Sequence, residues 1–299
     1  MTTTRVGWEL YRTFLGVLTE GSLSGAARVL GITQPTAGRH IAALEQELGI
    51  LLFTRSQTGF MPTEAAASLR AYAEAMQSTA AALERAASSH GGDAGIKGVV
   101  RVSCSDVIGV EVLPPVIAQL RASHPELKIE LVLTDRVQDL LLREADIAVR
   151  MTQPKQDQLV ARRIGRIDVG LHARRDYLER HGTPRHIDEL AKHSTIGYDQ
   201  LTAYLRQAEK SLKGMRRDLF SMRSDSNLAQ LALIRAGAGI GMCQVPLARR
   251  DVTLVRVLPR AVALPLETWV TMHEDLRNSP RCRVTFDALV DGLLAYCGS

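Results

Sequence analysis

The chain is poor in cysteine and carries little that points to catalysis. Its four cysteines, Cys104, Cys243, Cys282 and Cys297, are far apart and form no CxxC pair. That spacing excludes a zinc cluster or a disulfide framework and leaves reduced thiols as the expectation. Long apolar runs are missing too. Leu228 to Cys243, among the most apolar stretches, is interrupted by Gln230, Arg235 and three glycines, so no segment supplies the roughly 20 apolar residues of a membrane span. Met1 to Arg5 runs into Trp8-Glu9-Leu10-Tyr11-Arg12, without the apolar core and cleavage site of a secretory signal, so the cytoplasm is the expected location and a membrane is not an expected partner. No serine sits in a GxSxG elbow and no nucleophile, base and orienter can be matched by spacing, so an enzyme is not expected. His172, His181, His186 and His193 share one stretch without HxxxH or HExxH spacing; solvated surface rather than a metal site is expected for them. Gly237-Ala238-Gly239-Ile240-Gly241 follows a helical pattern and precedes a strand, the reverse of the order that cradles phosphate. No cofactor is called for.

What is present is a chain of 299 residues, 45% hydrophobic and 23% charged, the balance of a soluble globular protein of roughly two or three domains. The net charge of +5 points to an acidic partner, yet it is unevenly placed. Residues 1–62 hold five basic against four acidic side chains. The surplus lies further on, at Arg162, Arg163, Arg166, Arg174, Arg175, Arg180 and Arg185, then Arg206, Lys210, Lys213, Arg216 and Arg217.

Leu10, Phe14, Val17 and Leu18 recur at helical spacing between Trp8 and Leu18, and Glu20-Gly21-Ser22 stops that helix and offers a new N-cap. A second helix runs from Leu23 to Leu30, with Leu23, Ala26, Ala27 and Leu30 on one face. Only Gly31-Ile32-Thr33 precedes the third helix, the short glycine-containing connection of a helix-turn-helix. Thr33 is suited to cap that helix and Pro35 to its first turn, while Ile41, Leu44 and Leu48 form the buried stripe. The outward face starts with Gln34, Thr36, Gly38, Arg39 and His40, donor and acceptor types that read base edges in a major groove. A merely solvated helix start fits the same residues.

Leu51-Leu52-Phe53-Thr54-Arg55, a tip at Gln57-Thr58-Gly59, and Phe60-Met61-Pro62-Thr63 read as a short β-wing. Arg55 stands where a wing reaches phosphate or minor groove, a contact that positions without specifying sequence. Ala26-Ala27, Gln34-Pro35, Leu44-Glu45-Gln46-Glu47-Leu48-Gly49, Leu52-Phe53-Thr54-Arg55 and Thr63-Glu64-Ala65 together resemble the LysR-type transcriptional regulators. That family usually has serine where Gly38 stands; glycine costs about 1 kcal/mol of helix propensity and removes a hydroxyl that bonds phosphate. The resemblance implies that Ser22, Thr33, Gln34, Pro35, Thr36, Gly38, Arg39, His40 and Arg55 make up the DNA-binding set.

Thr63 to Ser88 is alanine-rich and free of proline and glycine, with Thr63 as N-cap. Leu69, Tyr72, Met76, Thr79, Leu83 and Ala86 fall at alternating three- and four-residue steps, the seam of a two-stranded coiled coil. Leu69, Tyr72, Met76 and Leu83 are therefore the expected dimerisation residues; packing of the stripe on its own domain is the alternative. A symmetric dimer would present two recognition helices to an inverted-repeat site. Ser88-Ser89-His90-Gly91-Gly92 has the composition of a hinge.

From Gly98 strands alternate with helices: Val99 to Ser103, a helix from Val110 to Ser123, Lys128 to Thr134, a helix from Val137 to Arg143, and Asp146 to Arg150. The order repeats as Val169 to His172, helices up to Leu190, a helix from Ser226 to Ala236 and a strand from Ile240 to Val245. Such alternation predicts a parallel sheet covered on both faces, with ligand bound outside the carboxyl ends of the strands. Leu113-Pro114, Asp146 to Arg150 and Ala236-Gly237-Ala238-Gly239-Ile240 extend the resemblance to the LysR-type effector domain. The implied fold is α/β multidomain: an N-terminal winged helix-turn-helix (1–62), a long linker helix (63–90) and a two-lobed, periplasmic-binding-protein-like effector domain (91–299). Lobe I is expected over 98–163 and 268–299, lobe II over 164–266, joined by two crossing strands.

Ser105 is suited to hold an anionic group through its hydroxyl and the free amides of the following helix, and the resemblance implies that use. Thr134 and Arg150 should face the same cleft, with Ser226 across from them. Each has a plainer reading: Ser105 and Ser226 as helix caps, Thr134 as a strand end, Arg150 as a partner of Asp135 or Asp146. Cys104 and Cys243, each ending a strand, are expected to be buried structural thiols rather than a redox switch. The expected function is that of an effector-gated regulator. Its expected partners are double-stranded DNA, a small-molecule effector such as an organic acid, a second copy in a homodimer or homotetramer, and RNA polymerase. A solute-binding protein on the same two-lobed fold and an enzyme on an α/β scaffold are the competing readings.

Overall fold

Glycine and threonine punctuate the N-terminal helices. The computed structural model describes residues 6–56, 59–87, 96–134, 145–154, 158–200 and 215–298, and α1 (Trp8–Glu20), α2 (Leu23–Leu30) and α3 (Gln34–Leu48) open it. Gly31 closes α2 with φ of 68°, a left-handed turn that glycine adopts without strain, and its amide bonds back to α2. Ser22 and Thr33 accept the amides of Gly25 and Thr36 at 3.1 and 3.3 Å, so each hydroxyl satisfies a donor that the helix leaves open. Phe14, Val17, Ala26, Ile41, Leu44, Leu52 and Phe53 share one core. Leu48 is only partly buried against it.

β1 (Phe53–Ser56) and β2 (Gly59–Pro62) pair antiparallel from Phe53 opposite Pro62 to Ser56 opposite Gly59. The hairpin tip at Gln57-Thr58 lies outside the described residues. α4 (Glu64–Ala87) follows, and Thr63 Oγ1 accepts the Ala66 amide at 3.2 Å as its cap.

The remaining described residues form a second unit. β3 (Gly98–Cys104) pairs in parallel with β4 (Leu127–Leu133) and with β5 (Ile147–Arg150). Between β3 and β4 run a π-helical segment (Ile108–Val112) and α5 (Leu113–Ser123). The expected helix from Val137 to Arg143 and the hinge at Ser88 to Gly92 lie outside the described residues.

β6 (Leu159–Arg174) is followed by α6 (Arg175–His181), β7 (Thr195–Gly197), β8 (Met222–Arg223), α7 (Asn227–Arg235), β9 (Ile240–Gln244), α8 (Val245–Arg249) and β10 (Leu254–Val257). β11 (Leu264–His273) and α9 (Pro280–Gly298) end the described chain. The strand order is β4-β3-β5-β11-β6-β9-β7-β8, with β10 on β6.

The expected parallel pairing holds within each lobe, and two crossing strands join the lobes as expected. β7 lies parallel to β8 and β9, as β3 does to β4 and β5, but β6 and β11 pair antiparallel over Leu159 to Val169 and Leu264 to His273. These two long strands cross from one lobe to the other, and each turns back on the neighbouring strand of its lobe, which imposes the antiparallel pairs. One core runs from Val100, Val102 and Ile147 through Tyr296 and Leu293 to Leu231, Ile234 and Cys243. A second, around Leu171, Tyr177, Leu190 and Val257, belongs to the β7–β9 lobe alone.

Candidate functional site

At the start of α3, Thr33, Gln34, Pro35 and Arg39 are exposed and Thr36 and Gly38 half-buried. Thr33 Oγ1 and Thr36 Oγ1 lie 2.8 Å apart, and Arg39 Nη2 donates to Thr36 Oγ1 at 3.4 Å. The hydroxyls and the guanidinium thus form one chain along the first two turns. A Cβ at Gly38 would meet only Leu23 Cδ1 at 3.7 Å, an ordinary contact, so the packing admits the serine usual in the family.

His40 departs from the expected outward face. Its Nδ1 lies 2.8 Å from Thr13 Oγ1, on a threonine 1% exposed whose hydroxyl also donates to Glu9 O. The ring is drawn inward because α1 crosses behind α3, so His40 ties the two helices. Arg55 sits in β1 opposite Phe60; its side chain is outside the described part.

Along α4, Ala66 and Ala73 are buried in the N-terminal core and Leu69 is partly buried against it. Leu69 thus packs in part on its own domain. Tyr72 and Leu83, each 72% exposed, and Met76, at 40%, stay uncovered.

In the second unit the parallel ladder brings three expected residues to one sheet edge. Ser105 follows β3, Arg150 ends β5, and the Thr134 amide donates to Cys104 O at 2.8 Å. The Arg150 guanidinium donates to Ser103 Oγ at 2.7 Å and to Ser103 O at 3.1 Å. Ser103, which sequence reading missed, therefore fixes the arginine. Asp146 Oδ2 accepts the Arg101 amide at 2.8 Å, and Asp135 lies outside the described residues.

Ser226 caps α7, its Oγ accepting the Ala229 amide at 3.3 Å. It also stands near Ser105, because Asn227 Nδ2 donates to Asp106 Oδ1 at 3.4 Å. Two helix starts from opposite lobes thus converge with a serine at each, and the free amides of such ends attract anions. Asp106 and Asn227 were also missed, since 121 residues separate them and no local pattern joins them.

The remaining expectations divide. Cys104 and Cys243 are buried, and burial pushes the Cys243 thiol up to about 12, which disfavours its thiolate. His172 is not solvated surface: it is 2% exposed, with Nδ1 2.9 Å from Gly170 O. Among the described residues no group of three or more His, Cys, Asp and Glu stands where it could hold a metal ion. No described helix is long and apolar enough to cross a membrane.

Residues 8–67 match the family model described as "Bacterial regulatory helix-turn-helix protein, lysR family", and residues 93–294 match "LysR substrate binding domain". The chain belongs to the LysR family of transcriptional regulators. It is a regulator with an effector-binding domain, of a family that is not one of enzymes. This LysR-type chain is 34% identical over 184 residues to an HTH-type transcriptional regulator of Xanthomonas campestris pv. campestris, an alignment that takes in 61% of this chain and 53% of that protein. It is 26% identical over 288 residues to the regulator CrgA of Neisseria meningitidis serogroup C, covering 94% of this chain and 95% of that one. In fold it resembles full-length CbnR, solved in complex with its target DNA, with a TM-score of 0.65 at 18% identity over 97% of this chain and 99% of that one.

Proposed function

We propose that this regulator binds an inverted-repeat promoter site as a homodimer, or as a homotetramer of paired dimers, in the cytoplasm. Gln34, Thr36 and Arg39 read base edges in the major groove, with Ser22, Thr33, Pro35 and Arg55 positioning α3 and the wing on the backbone. The division into 1–62, 63–90 and 91–299 assigns DNA contact, self-association and effector sensing to successive parts. The observation that carries this reading is the hydrogen-bonded chain of Thr33, Thr36 and Arg39 at the first two turns of α3, with Gln34 exposed beside it. The CbnR complex, similar in fold, supports it.

The effector is a small carboxylate held in the cleft by Ser105, Thr134, Arg150 and Ser226. The helix start capped by Ser226, the position of Ser105 directly after β3 and the guanidinium oriented by Ser103 support this. Occupancy would change how the regulator engages the promoter and RNA polymerase. The test is a mobility shift on the DNA upstream of the protein's own gene. Gln34→Ala, Thr36→Ala and Arg39→Ala should each weaken specific binding, by about 1–3 kcal/mol for a residue bonding a base edge. Unchanged affinity in all three removes the assignment. A thermal shift with benzoate and acetate, absent in Ser105→Trp, tests the cleft.

A further inference from the structure

The two cleft walls are tied together at their far ends. Arg235, the last residue of α7, meets Glu111 of the π-helical segment in a fork-to-fork pair, Nη1 to Oε1 at 2.7 Å and Nη2 to Oε2 at 2.8 Å. Asn227 and Asp106 meet at the near ends, so the 106–112 segment and α7 lie side by side across the lobe boundary. Arg250 Nη1 donates to Glu111 O at 3.3 Å and its guanidinium stacks 4.8 Å from the Tyr296 ring. Tyr296 Oη in turn donates to Gln244 Oε1 at 2.6 Å.

Glu111 stands within the π segment. A π turn inserts an extra residue into the helical repeat and is frequent at functional sites. Gly109 lets the segment pack closely on β3 and β4, because a Cβ there would collide with the Leu133 side chain and come within 2.9 Å of Cys104 Sγ. The side-chain accessibilities of Arg235 and Glu111, 36% and 20%, leave the pair only partly screened. A two-pronged guanidinium–carboxylate contact also fixes direction as well as distance. The Arg235 hydrogen bond holds the Glu111 carboxyl below its ordinary range, and Glu111 raises Arg235 in return.

We propose that Glu111 and Arg235 are positioning residues of the effector cleft: their ion pair holds the Ser226 end of α7 opposite Ser105, so its loss lets the two walls part. This rests on the reading that effector binds between these walls, but its test needs no effector. The experiment compares amide hydrogen exchange and labelling by a thiol reagent in full-length wild type, Glu111→Gln, Arg235→Gln and the charge-swapped double variant Glu111→Arg/Arg235→Glu. Cys243 is the natural reporter, being 5% exposed within the core shared by both lobes. Either single variant should raise exchange in 106–112 and 227–235 by about tenfold, as a local opening does, and should speed labelling of Cys243. Amides of Val99 to Cys104 should keep their rates, and the swapped pair should recover most of the protection.

Unchanged rates in both single variants overturn the proposal. So does a uniform rise across the whole effector domain, which is what a merely structural contact would give. Should Glu111→Gln not fold, Glu111→Asp keeps the charge with a shorter reach and must give an intermediate rise. A carboxylate shift missing in wild type, or equally large in Ser105→Trp, would sink the effector reading and leave this result standing.

Discussion

Glu45 Oε1 accepts the amides of Leu52 and Phe53 at 2.7 and 3.1 Å, so one carboxylate joins α3 to the start of the β1–β2 hairpin. Hydrogen bonds to a charged acceptor contribute more than neutral ones, and an abandoned half-buried amide loses its solvation as well. Glu45→Ala should cost about 2–3 kcal/mol and loosen the wing before the effector domain responds. Urea denaturation of full-length protein, with exchange followed at Leu52 and Phe53, checks this; intact protection there would refute it. This residue stood in the motif that carried the family resemblance, yet its bond to Leu52 and Phe53 emerged only with the fold. His40 is the converse case. Its spacing placed it on the outward face, and only the crossing of α1 showed that Thr13 claims the ring.

Among the elements, α4 shows how far periodicity reaches. The repeat of Leu69, Tyr72, Met76 and Leu83 fixed a helical stripe but could not say which residues its own domain would cover. The three-helix core ends near Ala73, so Leu69 is packed while Leu83 is bare. Leu83→Glu should therefore leave monomer stability within about 0.5 kcal/mol, as expected of an exposed substitution, while weakening self-association. Sedimentation equilibrium decides it: an unchanged dimer constant would remove Leu83 from the seam. Strands were legible for a similar reason, since β3, β4, β5 and β9 are short apolar runs bounded by turn residues. The antiparallel register of the two crossing strands was not, because β6 and β11 meet 95 residues apart at Val169 and Leu264 and more than that elsewhere.

At the scale of the whole molecule, the buried His172 makes folding of the effector domain depend on pH. Burial is the main cause that lowers its pKa from 6.5 to about 4, opposed by the Gly170 carbonyl and reinforced by Arg256. The unfolded chain takes up a proton at higher pH than the folded one, so the stabilisation is whole above about 6.5 and is lost as pH falls toward 4. The loss is on the order of 3 kcal/mol. Denaturant midpoints at pH 7.0 and 4.5, compared between wild type and His172→Gln, test this; a variant with the wild-type slope would exclude His172 as the source.

The N-terminal helices, their caps, the wing and the strands β3, β4, β5 and β9 followed from the sequence alone, because each depends on neighbours within a few residues: Ser22 on Gly25, Thr33 on Thr36, Thr63 on Ala66. Tertiary structure decided what joins distant segments: the inward turn of His40, the orientation of Arg150 by Ser103, and the pairing of Glu111 with Arg235 across 124 residues. Contacts of that length leave no period or motif in the chain, since their partners are chosen by the packing of whole elements rather than by local geometry.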